Sequence, residues 1–201
     1  MMSGEREHEL VELVSPDGEA IGSSTVVAAH TDGGLLHRAF SVLLFDDRGR
    51  TLLQRRSAAK TRFPLRWANA CCGHPAPGEG VGEAAARRLA DELGVRGVGL
   101  TDVGVFTYAA ADPATGRMER EYDHVLVARV RPDLPTTPDP TEVAALRLVP
   151  TPDLLTEVST ASAGNPDEHA PWLLGVLRVA LASAVLADGP PSRSAPPYRT
   201  D

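Results

Sequence analysis

The sequence is poor in aromatic residues, cysteine and lysine, and it contains no long apolar run. Aromatic residues make up 4% of the 201 residues, so a core has to be built mainly from Leu, Val and Ala. No apolar run approaches the roughly 18 to 20 residues that a membrane-spanning helix needs. The two cysteines, Cys71 and Cys72, are adjacent and cannot close an ordinary structural loop. We therefore expect a reduced, cytoplasmic protein without structural disulfides.

The net charge and the length limit the kinds of partner and the number of domains that the chain can have. A formal net charge of −7 argues against a nucleic-acid partner, which would favour a basic face. The N-terminus carries acidic residues where a signal peptide would carry basic ones. The length suits a single domain with a substantial core. We expect a flexible segment over residues 1–16, the domain over 17–183, and a disordered Pro/Ser-rich tail over 184–201.

The hydrophobic pattern predicts an α+β fold. An apolar run at 38–45, a turn of Asp, Asp, Arg and Gly, and a second run at 50–56 predict a hairpin. Residues 81–93 predict a helix because Ala85, Leu89 and Leu93 form one stripe and Gly94 follows. Further strands are predicted at 101–110, 117–130 and 142–149, and helices at 152–158 and 171–186. Such an order favours a mixed sheet flanked by helices.

Residues 73–95 carry the strongest local motif, with Gly73, Glu79, Arg87, Glu92 and Gly94 at fixed spacing. The segment resembles the Nudix box, the loop–helix–loop that holds a divalent metal against a diphosphate, and this implies a Nudix-type α/β/α sandwich. Arg88 and Glu92 are four residues apart on the predicted helix, so they share a face. One can reach a phosphate oxygen and the other Mg²⁺, which suits carboxylate and phosphate ligands.

The segment departs from the hydrolytic form of that box at two places. A hydrolytic box has Glu directly after the first Arg and a Glu-Glu pair near the helix end, whereas this chain has Arg88 and the pair Asp91-Glu92. The change to a cation weakens hydrolysis and leaves diphosphate binding intact. The alternative interpretation is a plain surface helix with ion pairs such as Glu83–Arg87.

The flanking residues extend the resemblance. The run from Trp67 to Pro75 reads WANACCGHP, His30 and His37 are separated by six residues upstream, and the triplet Glu119-Arg120-Glu121 follows downstream. Together with the helix, this set resembles the type I isopentenyl-diphosphate isomerases over about residues 18 to 182. The resemblance implies an enzyme that moves a carbon–carbon double bond in a small prenyl diphosphate. One proton is added and another removed, through a tertiary carbocation.

The resemblance also implies a metal site. It assigns one divalent ion, with Mn²⁺, Mg²⁺ and Zn²⁺ as candidates, to the ligands His30, His37, His74, Glu119 and Glu121. Glu119 and Glu121 are two apart on a predicted strand, so both point to one side of the sheet. Glu92 is expected to bind Mg²⁺ together with the diphosphate. Taken singly, each histidine is more often structural than a ligand, and His8, His124 and His169 match no family position.

The same resemblance assigns the proton chemistry to Cys72 and Glu121, with Tyr108 hydrogen-bonding near the glutamate. A thiol and a carboxylate can both move protons once metal and burial tune their pKa values. The alternative for Cys72 is a buried small hydrophobe, which is the usual state of a free cysteine.

The remaining family positions concern the substrate. Trp172 matches a tryptophan that faces the carbocation and Trp67 is a second candidate for that pocket, although a core tryptophan is the alternative for both. Arg56, Lys60 and Arg88 match family positions that bind the diphosphate. The family lysine four residues before the first metal histidine is Val26 here. One phosphate contact is therefore missing, which indicates weaker binding or a different substrate.

Four functions stay open at this point. The first is interconversion of isopentenyl and dimethylallyl diphosphate, and the second is protonation-initiated cyclisation of a longer prenyl diphosphate. The third is a Nudix diphosphate hydrolase, and the fourth is a binding module without catalysis. No flavin is expected, because no glycine-rich dinucleotide loop is present. The expected partner is a small prenyl diphosphate, without nucleic acid or membrane, and the expected state is a monomer or a weak homodimer.

Overall fold

A computed structural model describes residues 5–164, 168–183 and 185 of the chain. After a 3-10 helix at Glu5–His8, the elements follow in this order: β1 Leu10–Val14, β2 Ala20–Thr25, α1 Val26–Ala29, β3 His37–Asp46, β4 Arg50–Arg56, β5 Trp67–Ala68, β6 Cys71–Gly73, α2 Val81–Leu93, β7 Thr101–Ala111, β8 Met118–Val130, β9 Val143–Pro150, α3 Thr151–Gly164 and α4 Leu173–Ala182.

Strand β3 is the centre of a mixed sheet. It pairs antiparallel with β1, β4 and β6 and parallel with β8 over ten residues of register, from His37 opposite Glu121 to Asp46 opposite Val130. Outer strands add antiparallel pairs: β2 on β1, β7 on β8, and β5 and β9 on β4. This topology brings the start of β3 next to the Glu119–Glu121 triplet of β8.

Helices cover both faces of the sheet. Because side chains alternate along a strand, Val42 and Leu44 pack with Leu89 and Leu93 of α2, while their neighbours face the other way. Leu43 and Phe45 belong to the second core, which contains Leu173, Val176 and Leu177 of α4 and Leu154 of α3. The predicted α+β sandwich, a mixed sheet flanked by helices, is confirmed.

Glycine is required at two positions, the end of α2 and the contact between α4 and β7. Gly94 ends α2 in the left-handed region with φ 69°, as the sequence predicted. A Cβ on Gly175 of α4 would lie 2.1 Å from the Phe106 ring, so only glycine lets α4 pack this closely on β7. No helix among the described residues has both the length and the apolar character to cross a membrane.

The N-terminal residues differ from the prediction of a flexible 1–16 segment. Residues Leu10–Val14 form β1, which pairs with β2 and β3, and Val11 packs with Val26 and Ala29 in a small core of its own. The two buried valines of β1 lie three residues apart, so the strand lacks the alternation that would have predicted it. The helix α3 is also longer than predicted. Of the tail predicted at 184–201, all residues except 185 lie outside the described residues.

Candidate active site

A cleft brings together residues that the sequence analysis assigned to three different roles. Its lining includes predicted metal ligands, the predicted acid and base, and predicted diphosphate-binding residues: His74, Glu119, Glu121, Cys72, Tyr108, Arg56, Lys60, Arg88 and Trp172. Val11 and Val26 add apolar side chains to the lining of the cleft. The position that carries a lysine in the resembling family therefore faces the cleft in this chain as valine.

Five of the six predicted metal ligands form one compact cluster. Each of His30, His37, His74, Glu119 and Glu121 offers one ligand atom, and these atoms all lie within 4.8 Å of one another. They come from the end of α1, the start of β3, the residue after β6, and alternate positions of β8. Three nitrogens and two carboxylates in one buried group are a donor set typical of a divalent transition metal.

The hydrogen bonds of the histidines fix which nitrogen faces the cluster. Nδ1 of His30 donates to the Val26 carbonyl and Nδ1 of His37 donates to the Leu35 carbonyl, each at 2.7 Å, since a carbonyl can only accept. Nε2 of each ring therefore presents a lone pair. Backbone carbonyls orient metal-binding histidines in this way in many metalloproteins.

Two acceptors then face one another inside the cluster. Nε2 of His30 lies 2.8 Å from Oε2 of Glu119, and both atoms are buried without a hydrogen-bond donor. Nε2 of His37 is also buried without a partner. Such unmatched acceptors are costly in a protein interior, and a shared cation would satisfy them. The residues present thus fit a divalent ion.

The pKa shifts of His74 and of the two carboxylates agree with a ligand role. Burial acts to lower the pKa of His37, but the charge of Glu121 raises it above its usual value. Burial lowers the pKa of His74 to about 4, so its imidazole is neutral at neutral pH, as metal binding requires. Burial alone would raise the pKa of Glu121, but the neighbouring rings of His37 and His74 hold it well below its usual range. The pKa of Glu119 is lowered by the charge of Arg62 and by His30, against the effects of burial and of Glu121.

Cys72 lies at the centre of a polar network on the floor of the cleft. Its Sγ is 3.2 Å from Oδ1 of Asn69 and 3.6 Å from Oγ of Ser41, which donates to Asp123 at 2.8 Å. Burial and the carboxyl of Asp123 raise the pKa of the Cys72 thiol to about 12. The group is therefore a protonated thiol at neutral pH. Cys71 is fully buried in the core between β3 and α2.

Tyr108 and Trp172 are neighbouring aromatic residues in the cleft lining, and Tyr108 contacts the metal cluster. The Tyr108 hydroxyl donates to Oε2 of Glu121 at 2.7 Å. Burial and the charge of Glu121 raise the pKa of Tyr108 well above its usual value, so the hydroxyl remains a donor. The rings of Tyr108 and Trp172 lie 5.8 Å apart, and the Arg56 guanidinium carbon lies 5.5 Å from the centre of the Trp172 ring.

Trp67 is not part of that lining. The guanidinium carbon of Arg147 lies 4.4 Å from the centre of its ring, and its backbone bridges to His169. Trp67 packs against the core cluster that contains Trp172 and is absent from the cleft lining. Its position differs from the expectation that it lines the substrate pocket.

Two of the three predicted diphosphate-binding cations, Lys60 and Arg88, form a cluster with two buried carboxylates. Glu92 pairs with Arg88 and lies 3.4 Å from Lys60, and it also accepts from Gln54 at 3.1 Å. Glu142 pairs with Lys60 and lies 3.7 Å from Arg88. Glu92 lies outside the five-ligand cluster. These contacts place Glu92, the predicted Mg²⁺ ligand, beside Lys60 and Arg88, which line the cleft.

Several side chains in the site were missed from sequence. Arg62 donates to Glu119 at 3.1 Å and to Glu7 at 2.8 Å. Asn69 stood inside the WANACCGHP motif without a role. Asp123 continues the two-residue spacing of Glu119 and Glu121 along β8, a signal that could have found it. Ser41 and Glu142 lie beside predicted residues only through the pairing of β3 and the loop before β9, so no local spacing pointed to them. Arg87, which the alternative interpretation of the helix paired with Glu83, instead pairs with Glu79 at 3.0 Å.

The chain is similar in sequence to curated isomerases. A NUDIX domain is matched over residues 35–173. An isopentenyl-diphosphate Delta-isomerase of Nocardia farcinica is 58% identical over 86% of this chain and 95% of its own length. One of Streptomyces coelicolor is 44% identical over 89% of this chain and 86% of its own length.

Solved structures are similar in fold. A crystal structure of the Deinococcus radiodurans protein DR0079 superposes with a TM-score of 0.65 and 22% identity, covering 85% of this chain and 98% of that one. A MutT protein from Methanosarcina mazei superposes with a TM-score of 0.56 and 17% identity, covering 73% and 94%. At such identity these structures show the shared fold alone.

Proposed function

Since the chain belongs to the NUDIX-domain family of isopentenyl-diphosphate Delta-isomerases, we propose that it interconverts isopentenyl diphosphate and dimethylallyl diphosphate. The observation that carries this proposal is the shared cleft of Cys72, Glu121 and Tyr108, with an apolar wall on one side and the cation cluster at one end. A protonated thiol and an ionised carboxylate are a matched acid and base for moving a double bond.

The reaction needs two proton transfers and no redox partner. A proton is added to the terminal alkene carbon, which leaves a tertiary carbocation, and a proton is then removed from the carbon two positions away. The resting Cys72–Glu121 pair holds one such proton, because the thiol keeps its proton and the carboxylate is ionised. One group adds a proton and the other removes one, so the substrate composition is unchanged and the reaction is reversible.

Metal binding supports this arrangement. His30, His37, His74, Glu119 and Glu121 would hold a divalent ion, and such an ion supplies a fixed positive charge beside Glu121. We assign Glu92 to a Mg²⁺ ion that accompanies the diphosphate, because carboxylate and phosphate oxygens are the ligands that Mg²⁺ prefers. Mn²⁺, Mg²⁺ and Zn²⁺ are the candidates for the five-ligand cluster.

The substrate is held at both ends. Lys60 and Arg88 line the part of the cleft that would receive the diphosphate, where charged hydrogen bonds are strong. Arg56 also lines the cleft, beside the Trp172 ring. The buried Trp172 ring faces the space in which positive charge develops on the hydrocarbon. A cation–π contact is worth about 2 kcal/mol when desolvated. The proposed occupant is a small prenyl diphosphate.

A direct assay tests the proposal. Purified protein, incubated with isopentenyl diphosphate and Mg²⁺ plus Mn²⁺ or Zn²⁺, should form dimethylallyl diphosphate without releasing phosphate. Parallel reactions with longer prenyl diphosphates test for cyclic products, and phosphate release from nucleoside diphosphates tests for hydrolysis. Absence of the allylic product would overturn the isomerase proposal, and a cyclic product or released phosphate would identify the alternative.

A further inference from the structure

Asn69 connects the two side chains that flank the proposed hydrocarbon site. The residue lies between β5 and β6 and is fully buried. Its Nδ2 donates to the carbonyls of Val42 and Cys71 at 3.2 and 2.8 Å. Because carbonyls only accept, these two bonds fix the direction of the amide. Its Oδ1 must then point away from β3 and towards Cys72.

Oδ1 of Asn69 accepts from two partners. The indole Nε1 of Trp172, which can only donate, lies 3.1 Å away. Sγ of Cys72 lies 3.2 Å away and is a protonated donor in this contact. The amide thereby uses both of its donor hydrogens and both acceptor positions of its oxygen, and all four partners lie within the protein.

We propose that Asn69 is a positioning residue for the isomerisation, in which one oxygen orients both the Cys72 thiol proton and the Trp172 ring. This inference rests on the proposed function and adds a residue to it. Without the oxygen, the thiol can rotate about its Cα–Cβ bond and the indole loses its buried acceptor. The Cys72 thiol and the Trp172 ring would then no longer be held in a fixed orientation relative to each other. The side chains of Lys60 and Arg88, proposed to bind the diphosphate, would keep their positions.

The kinetic test is the substitution Asn69→Leu, which keeps the approximate volume and removes the oxygen. We expect kcat to fall about 10²-fold, the cost of misplacing a reacting group by roughly 1 Å, with little change in KM. Thr51→Val is the matched control, because it removes another buried hydrogen bond, Thr51 to Thr151 at 2.8 Å, outside the cleft. It should leave both constants unchanged. A folded Asn69→Leu protein with wild-type kcat, or with a raised KM alone, would overturn the proposal.

The infrared S–H stretch tests the same contact without activity. The band that disappears in Cys72→Ser belongs to the Cys72 thiol. In Trp172→Phe the indole donor is lost, so Oδ1 of Asn69 accepts from the Cys72 thiol alone and that hydrogen bond becomes stronger. The S–H band should therefore move to lower frequency. In Asn69→Leu it should move to higher frequency, and in Thr51→Val it should stay. An unchanged band in Trp172→Phe would contradict the shared oxygen even if Asn69→Leu did not fold. Since the band is read in any folded protein, this result is separate from a failure of the isomerase assay.

Discussion

The Tyr108 hydroxyl and the Glu121 carboxylate form a 2.7 Å hydrogen bond across directly paired positions of β7 and β8. The bond uses Oε2 of Glu121, while Oε1 faces His74 at 3.0 Å and His37 at 3.7 Å. The two oxygens of one carboxylate thus have separate partners. Oε1 faces the histidines of the metal cluster, and Oε2 accepts the hydrogen bond from Tyr108.

Tyr108→Phe should lower kcat and leave metal binding intact. The substitution removes a hydrogen bond to a charged group, worth about 1.5–3 kcal/mol, so kcat should fall roughly 10- to 100-fold. KM for isopentenyl diphosphate should change little, because the hydroxyl has no contact with Lys60 or Arg88. Steady-state kinetics and metal titration of the purified variant measure both. A variant with lost metal affinity and unchanged kcat would show that the hydroxyl supports the ligands instead.

Metal should stabilise the fold through the five-ligand cluster. At a metal concentration 100 times its Kd, the free energy of unfolding should rise by about 2.7 kcal/mol. His30→Ala should abolish this gain. His124→Ala is the control, since His124 pairs with Asp102 at 2.8 Å outside the cluster, and it should keep the gain. Thermal unfolding with and without a chelator measures it. Equal chelator effects on the wild type and on His30→Ala would place the metal elsewhere.

Lys60→Met should raise KM more than it lowers kcat. The single lysine of the chain lines the cleft and pairs with Glu142, and its loss removes a charged partner of the diphosphate. A loss of about 1.5–3 kcal/mol corresponds to a KM increase of roughly 10- to 100-fold. Arg96→Met, at an exposed position after α2, should leave KM unchanged. An equal KM for both variants would remove Lys60 from the binding site.

Asp46 should stabilise the β3–β4 turn in a pH-dependent manner. Its carboxylate accepts from the backbone N–H groups of Arg48 and Arg50 and from the Arg50 side chain. Although burial acts to raise it, these donors lower the pKa of Asp46 below the usual 3.8. A lowered folded-state pKa means stability that is present above pH 3.8 and is lost as the pH falls through the folded value.

The substitution Asp46→Asn measures that contribution. At pH 7 it should lower the free energy of unfolding by about 1–2 kcal/mol. The difference from the wild type should shrink below about pH 4, where the carboxylate of the wild type also takes up a proton. Denaturant titrations at the two pH values test this. A difference that is constant with pH would mean that the ionised carboxylate is not what holds the turn.

The sequence predicted the parts of the site that local spacing controls. Two-residue spacing placed Glu119 and Glu121 on one side of β8, and four-residue spacing placed Arg88 and Glu92 on one face of α2. Both relations hold in the structure. The convergence of His30, His37 and His74 came from the family resemblance, because they lie in three separate segments: the end of α1, the start of β3 and the residue after β6.

The partners of those residues could not be read from the sequence. Ser41, Glu142 and Asn69 gain their roles through contacts with distant residues: Ser41 with Cys72, Glu142 with Lys60, and Asn69 with Trp172. The short strands β5 and β6 have too few residues to show a period, yet they carry Asn69 and Cys72 to the cleft. Packing of distant segments, which no short pattern encodes, determined these positions.

The central claim is that Cys72 and Glu121 exchange protons with the prenyl chain, and NMR in deuterium oxide tests it most directly. Wild-type protein equilibrated in deuterium oxide with metal should convert isopentenyl diphosphate to dimethylallyl diphosphate carrying solvent deuterium in a methyl group. Cys72→Ala and Glu121→Gln, each shown to be folded, should give neither product nor deuterium exchange. Deuterated product formed by Cys72→Ala at the wild-type rate would contradict the account.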